Sequence, residues 1–393
     1  MRIAVNTRLL QKGKLEGIGR FTDETLKRMV INHPQVEFIF CFDRGFDASF
    51  IYGDNVKPIV IWPQARHPFL YYIWFKWCLP FVLKREKIDL LLSMDGFLPL
   101  DTNVKTLSVI HDLAFEHFPN AVPWLTQKYY KYFFPRFAKK ASRIATVSSF
   151  TKNDLIKTYQ INPQKIDVVF NGVSSVFKPM KEEEKLEIVK NEIGGKPYFI
   201  CLGSIHPRKN IITLLKAFEK FKIRNPQDAH QLLFVGRMGW QNNEVENYFK
   251  EMTFKDDVLF KGFLKDEQIA KLLASAKASV YPSLFEGFGL PVIESMACGT
   301  PVITSRGTSM EEIAKGAAFL FDAKNVDELT KHLENQASGN GPDHEKIVLG
   351  LAIAEEYNWD KTAGLLWESI LNVGIKDDWC LVGGERCSVN GNR

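Results

Sequence analysis

The feature that most constrains this chain is a strand-and-helix alternation that runs its course and then restarts. In the front half, short apolar runs read as strands: Ile3–Asn6, Val36–Cys41, Leu90–Ser93, Thr106–Ile110, Ile144–Val147 and Ile166–Phe170. Amphipathic stretches such as Phe21–Ile31 and Lys152–Tyr159 lie between them. Strands that alternate with helices predict a parallel sheet covered on both faces. After the charged run Lys181–Lys185 and Gly194-Gly195-Lys196-Pro197, the alternation begins again. It then gives strands at Tyr198–Leu202, Leu232–Val235, Val258–Lys261, Ala278–Tyr281 and Val302–Thr304, and helices at Ile211–Phe221, Glu267–Ala274 and Pro291–Ala297.

The fold class expected is therefore α/β, with two doubly wound units, and 393 residues suit two cores better than one. The turn Asn171-Gly172-Val173 marks the hinge. Residues 1–173 and 174–356 are the expected domains, and the tail 374–393, with Cys380 and Cys387, reads as frayed. Six scattered cysteines without a C-x-x-C make no disulfide framework and fit a reducing, cytoplasmic setting. Met1–Asn6 reads as a first strand rather than a signal peptide. The run Phe69–Leu83 is interrupted by Lys76 and Pro80, so it reads as a buried or interfacial helix rather than a membrane span.

Charge separates the two halves. Residues 1–175 hold 24 Lys and Arg against 15 Asp and Glu, a net of +9; the whole chain carries +5, so the remainder carries −4. The two domains should meet different partners.

Four segments carry candidate chemistry. Ser283–Glu294 follows a strand and opens a helix, with Pro291 suited to the first turn. Gly287 and Gly289 let a ligand approach the backbone, and the free N–H groups from Gly287 through Phe288 and Gly289 to Leu290 offer an anion site. Glu286 and Glu294 can each accept hydroxyls from a sugar or ribose, although spacing alone equally allows two solvated glutamates. Gly203–Asn210 places Arg208 and Lys209 at a helix start, where the dipole opposes cations and an anion between them would relieve the conflict. The plain alternative is a solvated basic turn. His111-Asp112 ends a strand, where open α/β sheets place ligands; a histidine capped by Asp112 is the bland alternative. Gly17-Ile18-Gly19, preceded by Glu16, is a glycine turn before the first helix, short of the full G-x-G-x-x-G of a dinucleotide site. No G-x-S-x-G, P-loop, H-E-x-x-H or strand-end D-x-D occurs, so a leaving diphosphate would have to be neutralised by Arg208, Lys209 and a helix end, without metal.

Taken in order, these marks resemble the retaining glycosyltransferases of family 4, with the GT-B fold, over about residues 1–372. Val147-Ser148, Asn171-Gly172-Val173, Val258–Leu264 and Gly299-Thr300-Pro301-Val302 add to the likeness. The resemblance implies two Rossmann-like domains facing a cleft, with a last helix near 357–373 crossing back to the front. It implies that Arg208 and Lys209 take the donor diphosphate and Glu294 the ribose. Glu286, Gly287, Phe288, Gly289 and Leu290 would hold the donor sugar and phosphate, beside Gly203, with Leu264 at the nucleobase. His111 would reach the sugar, and Gly17 and Gly19 would line the cleft. Family members often read Pro-Glu-Val-Ala-Gly-Asp where this chain has Glu311–Gly316; Glu312 keeps the acid, but the Gly and Asp are lost.

The expected reaction is retaining transfer of a sugar, mannose first, from a GDP- or UDP-linked donor. The acceptor would be a glycan or lipid-linked glycan of surface polysaccharide, as in bacterial mannosyltransferase-like members. No cofactor beyond that substrate and no nucleic acid is expected. A sugar-nucleotide epimerase, or a non-catalytic nucleotide or polyanion binder, is the competing reading. The basic, aromatic segment Lys128–Arg143 and the run Phe69–Leu83 read as core helices with solvated edges, or as a peripheral contact with the inner face of an anionic membrane.

Overall fold

The computed structural model describes residues 1–13, 15, 17–119, 122–236, 243–339 and 343–374. Glu16 and the tail cysteines Cys380 and Cys387 lie outside these residues. The chain forms two wholly parallel sheets. The first contains β1 (Arg2–Asn6), β2 (Glu37–Phe42), β3 (Val56–Val60), β4 (Leu90–Ser93), β5 (Lys105–Ile110), β6 (Arg143–Thr146) and β7 (Ile166–Val168), in the order β3-β2-β1-β4-β5-β6-β7. The second contains β8 (Tyr198–Leu202), β9 (Gln231–Val235), β10 (Val258–Lys261), β11 (Ala278–Tyr281), β12 (Val302–Ser305) and β13 (Ala318–Phe321), in the order β10-β9-β8-β11-β12-β13.

The central strands are nearly continuous apolar runs because helices cover both sheet faces. Each of the five residues of β8 and of β9 is buried. The edge strands β3 and β13 are the two that the apolar runs did not announce. β3 carries Lys57 and Pro58, and a proline is tolerated there because an edge strand has a side that needs no ladder hydrogen bond. β13 is only four residues, two of them half-buried. Strand order reverses between β1 and β4 and between β8 and β11, and at such a switch point the loops diverge and leave a crevice at the strands' C-terminal ends.

The chain crosses between the halves twice, side by side. Val173 N donates to Tyr357 O at 2.9 Å, and Val173 forms a parallel bridge with Asn358. Gly172 has to be glycine here, since a Cβ would lie 2.4 Å from Trp359 N. The last helix, Trp359–Leu371, packs on the first, Gly17–Asn32. Arg28 Nε donates to Asp360 at 2.7 Å, and the His33 and Trp367 rings stack with centroids 3.6 Å apart.

Candidate active site at the facing switch points

The loop after β8 and the loop after β11 are stitched together before any ligand is considered. Gly203 leaves β8 with φ +133°, a conformation open to glycine. The chain then makes a short turn, Pro207–Lys209, and Leu284 N donates to Arg208 O at 2.8 Å. Asn210 adopts left-handed backbone, and its side chain does not cap the helix Ile211–Arg224 as expected for its type. Instead Nδ2 donates to Pro282 O at 3.0 Å and Ala323 O at 2.7 Å, so one amide ties three loops.

That stitching brings Glu286 onto the two cations. Arg208 Nη1 donates to Glu286 Oε2 at 2.6 Å and to Phe285 O at 3.2 Å. Lys209 Nζ sits 2.5 Å from Glu286 Oε1. Oε1 is buried against that ammonium, so the carboxylate meets one cation on each oxygen. The anion that relieves Arg208 and Lys209 is therefore Glu286, from a loop that sequence spacing could not link to their turn. Burial pushes the Glu286 carboxyl up, but Lys209 and Arg208 outweigh it and hold the group below the usual carboxylate range.

Gly287 is where the two halves touch. A Cβ there would lie 2.1 Å from His111 O. Ser148 Oγ donates to Gly287 O at 2.5 Å, and Thr151 Oγ1 lies 3.2 Å from the same oxygen and 3.1 Å from His111 O. Gly289, at φ +104°, then caps the helix Leu290–Ala297. From the same half as Gly287, Glu312 accepts from Ser149 N and Phe150 N of the first half at 2.8 and 2.7 Å, neutralising the N-terminus of the helix Ser149–Tyr159. The acid that survives in Glu311–Gly316 is thus an interdomain cap.

His111 follows β5. Its Nε2 lies 3.0 Å from Met94 O; a carbonyl only accepts, so Nε2 carries the proton and Nδ1 is the acceptor. Burial holds the imidazole below its ordinary pKa and so neutral near pH 7. Asp112 does not cap His111; its Oδ1 accepts from Ala114 N at 2.9 Å, because the chain turns there into a short helix.

A cavity of about 580 Å³ joins these groups. Gly17, His111, Arg208, Lys209, Glu286, Gly287, Phe288, Gly289 and Leu290 line it. Gly19, Gly203, Leu264 and Glu294 stand outside that lining. Gly19 faces Leu9 O, and Gly203 lies against the Lys209 side chain. Leu264 packs on the core. Glu294 is the fifth residue of its helix, one turn deeper than a first-turn position. It is buried, which raises its pKa, while Arg20 acts in the opposite sense. Arg20, on the helix Gly17–Asn32, reaches across to Glu294 Oε1 at 3.3 Å and also pairs with Asp266.

The front-domain end of the cavity contains residues the motifs did not single out. Arg8, two residues beyond β1, pairs with Asp95 at 2.5 Å. Its guanidinium sits 4.8–5.5 Å from the ring centroids of Tyr71, Trp74, Phe75 and Phe97. Position just past a strand's C-terminal end was the available signal for Arg8 and Asp95; the aromatic cage required the fold.

The two halves match separate family models: residues 15–176 match "Glycosyltransferase Family 4" and residues 182–347 match "Glycosyl transferases group 1". The chain is 27% identical over 257 residues to the O-antigen chain mannosyltransferase B of Escherichia coli, covering 65% of this chain and 67% of that protein. It is 28% identical over 273 residues to the O-antigen chain mannosyltransferase RfbU of Salmonella typhimurium, covering 68% and 71%. Among solved structures, Anabaena HepE in complex with UDP and glucose superposes with a TM-score of 0.72 at 15% identity, over 95% of this chain and all of that one, which is 100%. That likeness establishes the GT-B architecture of two facing sheets.

Proposed function

The chain belongs to the family 4 glycosyltransferases and is a hexosyltransferase; from that premise we propose that it moves mannose from GDP-mannose to a growing surface glycan, with retention of configuration. The observation that carries this reading is the Arg208–Lys209–Glu286 cluster on the cavity wall, beside the N-terminus of the helix Leu290–Ala297. Two fixed cations and free backbone N–H groups suit a diphosphate that gains charge as it leaves.

In this reading the C1–O bond to the diphosphate breaks while the acceptor oxygen attacks C1 from the same face. The acceptor proton passes to the leaving phosphate oxygen, and no covalent nucleophile takes part. Arg208 and Lys209 shift part of their charge from Glu286 to the phosphate. His111 Nδ1 and the remaining lone pairs of the Glu286 carboxylate accept sugar hydroxyls. Glu294 takes the ribose, sharing its carboxylate with Arg20. The acceptor, a glycan or lipid-linked glycan, enters past Tyr71, Phe97 and Tyr130, whose rings suit sugar faces. Contact with the membrane is peripheral. Mannose is favoured by the named activities of the two curated relatives.

The test is a thermal-shift panel of GDP, UDP, ADP and CDP, followed by transfer assays with the matching sugar donors and NMR of the product anomer. GDP should stabilise most, because a ligand that binds only the folded chain raises its stability by mass action. A larger shift with UDP would replace the donor assignment, and an inverted anomer would overturn retention.

A further inference from the structure

Two helical stretches of the first domain have an unusual composition. The helix Pro68–Ile73 continues through the π-turn Trp74–Cys78 into Leu79–Arg85, and it packs near the helix Trp124–Lys140. Together they carry eight Lys and Arg and no acid. Their inner sides send Tyr71, Tyr130 and Phe134 into the active-site cavity. Residues one step along the same helices, Tyr72, Tyr129 and Phe133, line a separate groove of about 290 Å³ on the opposite side, with Lys76 and Arg136 beside them. The groove and the cavity therefore share a wall one layer of rings thick, bridged by the Tyr71–Tyr129 pair with centroids 5.7 Å apart.

On the same two helical stretches large rings stand in water, Tyr132 on the groove itself. Phe69, Trp77, Phe81, Trp124 and Tyr132 are 54–66% exposed, far above what packing would leave. Three exposed rings each lie under a cation: Lys128 over Trp124 at 4.0 Å, Arg136 over Tyr132 at 3.5 Å and Arg85 over Phe81 at 5.9 Å. Lys76 pairs with Asp101 from a neighbouring loop, and Arg85 with Glu86 just beyond its helix. Rings at the headgroup boundary, with cations at phosphate level, complement an anionic lipid surface. Among the described residues no helix is long and apolar enough to cross a membrane.

We propose that this face docks the protein on an anionic bilayer, so that a lipid-linked acceptor lying in that bilayer presents its sugars to the cavity behind the same two helices. The second half rests on the transferase reading; the docking does not.

The experiment is co-sedimentation with phosphatidylcholine vesicles and with vesicles of equal parts phosphatidylcholine and phosphatidylglycerol, at low and high salt. The full chain should pellet with the anionic vesicles at low salt and be released by high salt. A variant with Lys128→Gln, Lys131→Gln and Arg136→Gln should bind roughly a hundredfold more weakly, at about fivefold per cation. Trp77→Ser with Phe81→Ser should also weaken binding while leaving its salt dependence. Recovery of the wild type in the supernatant with both vesicle types would overturn the proposal, as would unchanged binding of both variants. A concentration-dependent dimer that the variants abolish, with no vesicle binding, would assign the face to a second copy and overturn it as well. Nucleotide thermal shifts on the same preparations check folding and report on the transferase reading alone. Absence of any shift would count against that reading and leave the docking result standing.

Discussion

Arg208 Nη1 lies 2.6 Å from Glu286 Oε2, and this partly buried ion pair joins the loop after β8 to the loop after β11. With Lys209 on the other oxygen, the cluster holds two cations ready for a diphosphate without leaving them uncompensated beforehand. Arg208→Ala or Lys209→Ala should lower kcat/KM by about 30–150-fold, the effect of losing roughly 2–3 kcal/mol of charge-assisted contact in the transition state. Steady-state kinetics near wild type for both would remove the diphosphate clamp.

Glu294 and Glu286 should separate kinetically. Glu294 lies off the cavity and shares Arg20, so Glu294→Ala should raise the donor KM with kcat nearly unchanged. Glu286 and His111 line the cavity and face the reacting sugar in the proposed reading, so Glu286→Ala and His111→Ala should lower kcat. The reverse split, measured with varied donor, would exchange the roles.

Gly287 has no room for a methyl group: Cβ would meet His111 O at 2.1 Å, and that oxygen belongs to the backbone of the opposite domain. Gly287→Ala should cost about 1–3 kcal/mol, taken from the contact between the halves, and reduce turnover accordingly. Activity and melting temperature equal to wild type would show that the two halves close differently.

Activity should persist in EDTA. In the proposed reading, Arg208 and Lys209 supply the positive charge that a divalent cation would otherwise bring to the diphosphate. Loss of activity in EDTA that magnesium restores would contradict this.

Acidification should destabilise the chain well before carboxylates titrate. Burial holds His111, His33, His230 and His332 below their ordinary value of 6.5. A depressed histidine stays neutral in the fold while the unfolded chain takes up the proton, so the unfolded state binds more protons. The stability is present above about pH 6.5 and is lost as pH falls through the lowered folded values. Melting temperature should therefore drop between about pH 7 and pH 5.5, and a flat profile over that window would be the contrary result.

What the sequence determined by itself was the order of elements and the local chemistry at their ends. Short continuous apolar runs specify strands and their alternation with amphipathic stretches specifies parallel pairing, so two doubly wound sheets were legible, except for the edge strands β3 and β13. The same local logic marked Arg208, Lys209, Glu286 and His111, because each lies just past a strand. Tertiary structure alone decided what those residues meet. Glu286 is 78 positions from Arg208, Arg20 is 274 from Glu294, and Glu312 is 163 from the helix it caps. Electrostatic compensation of a buried charge depends on distance in space and on the absence of water, and neither is encoded in spacing along the chain. The Arg8 cage and the ring-lined groove follow the same rule. Helical periodicity can say that Tyr71 and Tyr72 point different ways, but only packing against the helix Trp124–Lys140 turns one toward the cavity and leaves the other in the groove.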